Sequence, residues 1–61
     1  MKGLYSIGEV ARAYASGKII IFADGDAAQR IGRCSVRQAR RTVLMWYRYG
    51  MFPIKIMGGV L

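Results

Sequence analysis

The sequence predicts a small α+β domain with three helices, a short strand after the first of them, and a C-terminal strand that turns back through glycines. Three observations carry that prediction. Apolar residues recur at helical spacing near the start and again in the middle of the chain. A β-branched run, Lys18–Ala23, lies between them. An alternating run, Phe52–Met57, ends at Gly58-Gly59. With 61 residues the chain has room for one domain, 1–61. A domain of this size buries only about 60% of the surface its unfolded chain exposes. The hydrophobic fraction of 54% is enough to build a core, so the chain does not read as disordered.

The first helix is expected over Ile7–Ser16. Ser6 and Glu9 have the spacing of a capping box. Ile7, Val10, Ala11 and Tyr14 then fall on one helical face, and Gly17 is a natural stop. Lys18–Ala23 is expected as a strand buried on both faces, ending at Asp24-Gly25. Asp24 or Asp26 is then placed to cap a second, short helix, Ala27–Ile31, that stops at Gly32.

Ser35 is the expected cap of the third helix, which runs to about Tyr49 and is closed by Gly50 and Pro53. Its apolar set is Val36, Ala39, Val43, Trp46 and Tyr47. Arg37, Gln38, Arg41, Met45 and Arg48 gather on the opposite side, with Arg40 at the border. Phe52–Met57 is a strand, Gly58-Gly59 a tight turn, and Val60-Leu61 the stub of a returning strand.

Charge is the strongest global signal. Ten Lys+Arg against three Asp+Glu give a formal +7, which calls for an anionic partner. Arg30, Arg33, Arg37, Arg40, Arg41 and Arg48 all lie in the second half, and no acid follows Asp26. One cysteine and no histidine exclude an internal disulfide, a Cys/His zinc site and a histidine base. No paired acid and base or nucleophile system is visible, so no enzyme and no cofactor are expected. Asp24-Gly25-Asp26 reads as a turn rather than a Mg²⁺ site, and Cys34 as a small, partly buried residue. The stretches without a charged residue are far short of the roughly 18–20 residues that span a bilayer. With no secretory leader visible either, the cytoplasm is the expected location and a membrane is not an expected partner.

The element order resembles the winged helix-turn-helix family of DNA-binding domains. Asp26-Ala27-Ala28-Gln29-Arg30-Ile31-Gly32 looks like the first helix of such a motif, and Ser35-Val36-Arg37-Gln38-Ala39-Arg40-Arg41 like the start of its recognition helix. Tyr49–Gly59 is similar to the helix end and wing of small phage or plasmid excisionases. The resemblance implies double-stranded DNA as partner, with the third helix in the major groove. Arg37, Arg41 and Gln38 are then the base-reading residues: arginine pairs bidentately with guanine and glutamine with adenine. Arg30, Arg33, Ser35, Arg40, Arg48 and Lys55 are the phosphate contacts. The implied role is a small transcriptional regulator or an excisionase-type recombination directionality factor.

Other readings stay open. A short basic chain also suits an inhibitor that docks on an acidic surface of a host protein, such as a polymerase or an integrase. The apolar tail Tyr49–Leu61 favours that reading. The same arginines suit RNA, and Trp46, Tyr47 and Tyr49 suit stacking on a single strand. Met45, Met51, Met57 and Phe52 offer an adaptable apolar surface for a homodimer.

Overall fold

A computed structural model describes residues 5–58. The order is α1 (Ile7–Ala15), β1 (Ile19–Phe22), β2 (Ala27–Ala28), α2 (Val36–Arg48) and β3 (Pro53–Met57). The mixed α+β class agrees with the sequence, but the described residues hold two helices, not three. The expected turn at Gly58-Gly59 and the strand stub Val60-Leu61 lie largely outside the described residues.

Each helix is closed at both ends by its own sequence. Ser6 Oγ accepts from Glu9 N at 3.1 Å, and Ser6 N donates to Glu9 Oε1 at 2.9 Å, which completes the capping box. At the other end Gly17 takes φ +93°, Gly17 N donates to Tyr14 O, and Lys18 N donates to Ala13 O. Those two bonds satisfy carbonyls that the helix leaves free, and they turn the chain toward β1. α2 repeats the pattern. Ser35 Oγ accepts from Gln38 N at 3.2 Å. Gly50 has φ +76°, Gly50 N donates to Tyr47 O, and Met51 N donates to Trp46 O.

The segment expected as a second helix is half of a hairpin. Asp24 does not cap a helix: its Oδ1 accepts from Asp26 N at 2.9 Å and closes a turn of its own. Gly25 N donates to Phe22 O at 3.0 Å, and Phe22 N donates to Asp26 O at 2.8 Å. Gly25 supplies the left-handed residue, φ +94°, that such a three-residue loop requires. β2 then pairs antiparallel with β1, Ile21 opposite Ala27 and Ile20 opposite Ala28. The physical reason is length. Ala27–Ile31 favours helix residue by residue, but five residues cannot offset the cost of nucleating one.

β1 is the middle strand of a three-stranded sheet ordered β2-β1-β3, antiparallel throughout. Ile20 faces Ile56 and Ile21 faces Lys55, while Phe22 faces Pro53, so Ile54 is the extra residue of a bulge. Ile20 and Phe22 are buried against the helices; Ile19 and Ile21, on the other face, are only half-buried. The strand is therefore covered on one face rather than both.

The core is Val10, Ala11, Ala13, Ala15, Ile20, Phe22, Ala39, Val43 and Trp46. Ala11 and Ala15 share one face of α1, and Ala13 lies on another, beside Ile56. α1 packs against α2 and also against β1 and β3. α2 reaches the sheet through Trp46, whose ring meets Tyr14 and Phe22 edge-on, both at 4.9 Å. Val36, placed in the core by its helical phase, is instead exposed at the first turn of α2.

Candidate nucleic-acid interface

The outward half of α2 is set by the phase of its inward half. Ala39, Val43 and Trp46 are buried. At about 100° per residue, Arg37, Arg41 and Arg48 fall within roughly 40° of one another, directly opposite that core. All three are exposed. From Arg37 to Arg48 the line runs about 16 Å along the axis, at 1.5 Å per residue. Gln38 and Met45 flank it on one side, Arg40 and Leu44 on the other, and all four are exposed.

The charge of this face is not cancelled locally. α2 has no acid in its first turn, and none occurs anywhere after Asp26. Glu9 is on α1 and bound to Ser6; Asp24 is spent on its turn. Gln38 gives only its backbone N–H to the cap, which leaves its carboxamide in solvent. Ser35 uses its oxygen as an acceptor, so its hydroxyl hydrogen remains available to donate.

Arg30 and Arg33 stand exposed in the loop between β2 and Ser35. They lie beside the N-terminal end of α2 and extend its basic surface. Lys55 does not join them. It lies opposite Ile21, on the sheet face turned away from the helices. Thus eight of the nine residues expected to touch DNA, Arg30, Arg33, Ser35, Arg37, Gln38, Arg40, Arg41 and Arg48, belong to α2 and the segment leading into it. Lys55 stands apart.

Two features of this region had no signal in the residue pattern. Ile31, expected within a helix, is 98% exposed between Arg30 and Arg33. Tyr49, the C-cap of α2, is 73% exposed beside Arg48. Trp46 is core and is not offered for stacking. Tyr47 is half-buried; its ring meets Phe52 edge-on at 5.4 Å, and its hydroxyl donates to Tyr5 O at 3.1 Å. Burial, and then the nearby Glu9 charge, raise the Tyr47 phenol above its ordinary pKa.

A shallow groove beside α1 is lined by Tyr5, Glu9, Arg12, Ser16, Lys18 and Ile56. Glu9 there is held below the ordinary carboxylate range, first by the Ser6 backbone N–H that donates to it and then by the Ser6 side chain. Among the described residues no group of three or more His, Cys, Asp or Glu is placed to hold a metal. No described helix is long and apolar enough to cross a membrane. No protein-family model matches the chain, and none of the curated proteins or solved structures compared with it does.

Proposed function

We propose that this chain binds double-stranded DNA through the exposed face of α2, as a small transcriptional regulator or a recombination directionality factor of the excisionase kind. The observation that carries the reading is the line Arg37, Arg41, Arg48, opposite the core and with no acid on its helix. α2 packs along α1, so its outer half is free. A helix of 13 residues is about 20 Å long and fits a major groove about 12 Å wide.

Within this reading Arg37, Gln38 and Arg41 meet base edges, because they lie in the first half of the helix. Arg48 and Arg40 meet phosphates along the groove walls, and Arg30, Arg33 and Ser35 meet phosphates at the helix entrance. The likeness of Ser35–Arg41 to a recognition helix belongs to this proposal. The likeness of Asp26–Gly32 to a preceding helix does not, since a hairpin strand and a loop stand there.

Gel shifts on mixed-sequence duplexes across a salt series test it. The wild type is expected to bind at low salt and to weaken steeply as salt rises. Arg41→Ala is expected either to reduce the salt slope by about one, the mark of a phosphate contact, or to relax discrimination between sequences, the mark of a base contact. Binding to no duplex even at low salt would remove the proposal. Tighter binding to structured RNA than to duplex in direct competition would redirect it.

A second reading is a protein-binding inhibitor. Its support is the run of exposed apolar side chains Tyr49, Phe52, Ile54 and Met57. That run starts beside Arg48 at the C-cap of α2 and continues onto β3, away from Arg37 and Arg41. A partner retained after nuclease digestion, by a chain that shifts no duplex, would favour it.

A further inference from the structure

We infer that the loop Arg30-Ile31-Gly32-Arg33 is a DNA-bending wedge, in which Ile31 enters a base step from the minor groove between two phosphate-bound arginines. The inference rests on the DNA-binding reading of α2 and adds to it a second contact of different chemistry.

The loop is held at both feet. Gln29 Nε2 donates to Gly17 O at 2.8 Å, and Cys34 N donates to Ala15 O at 3.4 Å. Both anchors lie at the C-terminal end of α1. Ala28 and Cys34, just outside the loop, pack against the core. Arg30 to Arg33 are what remains, and all four residues are exposed. Gly32 takes φ +79°, a conformation that a side chain would resist, and the chain bends at Ile31-Gly32. The result is a short exposed loop on fixed feet with an isoleucine at its bend.

An exposed apolar side chain is common, and alone it carries nothing. The setting of Ile31 is what distinguishes it. It is the most exposed of the large hydrophobics, 98% against 73% for the next, Tyr49. It leaves the core unaided while every other described isoleucine touches the sheet or helix packing. Arg30 directly before it and Arg33 two residues after it are cations that no acid of the loop or of α2 neutralises. Architectural proteins combine these parts: an aliphatic wedge opens a base step, and flanking arginines hold the backbone while the duplex kinks. The loop also leads directly into Ser35 and α2, so wedge and groove helix would engage neighbouring grooves of one duplex.

The experiment uses a 30-base-pair duplex rich in TA and CA steps, which kink most readily, with a donor and an acceptor dye at its ends. Wild-type protein is expected to shorten the end-to-end distance on binding. Ile31→Ser is expected to bind at least about tenfold more weakly, with no shortening. Ile31→Leu restores the shortening, since any aliphatic wedge serves. Because Ile31 packs on nothing, thermal melts of both variants should match the wild type. Equal shortening by wild type and Ile31→Ser overturns the wedge and leaves the α2 reading intact. A wild type that binds the duplex without shortening it does the same. Failure of the wild type to bind any duplex removes both readings. Vesicles of phosphatidylserine and phosphatidylcholine form the last arm. Ile31-dependent binding to them, without Ile31-dependent bending of DNA, assigns the loop to a lipid surface and overturns the proposal.

Discussion

α1 and α2 are built from the same parts and serve different ends. Each begins at a serine cap, each ends at a glycine with positive φ, and each contributes to one core. α1 buries four residues in a helix of nine, and its first-turn acid is locked into the cap. It stands between α2 and the strands, and it anchors both feet of the loop that precedes α2. α2 buries three residues in thirteen, half-buries Thr42 and Tyr47, and leaves the other eight, arginine-rich and without an acid, exposed. The buried core draws most on α1, and the exposed positive charge lies mainly on α2. α1 is the frame, and α2 is framed on one side only.

The comparison breaks first at Trp46, where the two helices and the sheet share one side chain. Its ring touches Tyr14 of α1 and Phe22 of β1. Trp46→Ala is expected to cost about 3–5 kcal/mol, lost packing plus the cavity left behind. A domain this small commonly has no more than that in reserve. Far-ultraviolet circular dichroism should show the variant largely unfolded at 25 °C. A folded variant with a modest drop in melting temperature would mean that α2 is held by α1 alone. The arginine line is the control: Arg41→Ala should leave the melt unchanged while it alters DNA binding.

Gly50 sharpens the comparison at the point where α2 ends. Gly50→Ala places a side chain at φ +76°, in open space but in a conformation L-residues resist. The cost is expected to be about 1–2 kcal/mol, read as a lowered urea midpoint. Gly17→Ala, at φ +93°, tests the matching position of α1. A larger loss at Gly17 than at Gly50 fits a frame helix whose last turn also holds Gln29 and Cys34.

Much of this arrangement was legible in the residues, because its signals are local. The Ser6/Glu9 box, Ser35 as a cap, and the glycines after each helix act within one turn, and they set α1 and α2 to within a residue. β1 and β3 followed from β-branched and alternating runs. What local pattern could not reveal was Ala27–Ile31. Its residues favour helix, and only the pairing of Ala27 and Ala28 with Ile21 and Ile20 makes them strand. The exposure of Ile31 depends on anchors from Gln29 to Gly17 and from Cys34 to Ala15, bonds between residues distant in sequence. Lys55 illustrates the same limit. Its charge suggested a phosphate contact, but the register against Ile21 sends it to the far face of the sheet.

The smallest expected effect distinguishes the two helices by pH. Removing the Ser6 hydroxyl in Ser6→Ala should cost about 1 kcal/mol near neutrality, as loss of an N-cap does. Its pH dependence carries the sharper information. Glu9 has a lowered pKa in the folded chain, because Ser6 bonds to its ionised form. A lowered folded pKa contributes stability that is present above the unfolded value and lost as pH falls through the folded one. The wild type should therefore weaken on acidification, and Ser6→Ala should weaken only slightly less, since it loses the smaller contribution of the hydroxyl and keeps the backbone N–H bond to Glu9. Tyr47 on α2 acts at the other end of the scale. Its raised pKa gives stability that is full below the unfolded value and lost as pH rises through the folded one. Tyr47→Phe removes the bond to Tyr5 O, and with it the alkaline loss, while leaving the acid limb in place. Melting temperatures of the wild type and both variants across acid and alkaline pH would separate the two limbs. An acid limb unchanged in Ser6→Ala would show that the Ser6 hydroxyl does not contribute to it and leave the backbone bond to Glu9 as its source.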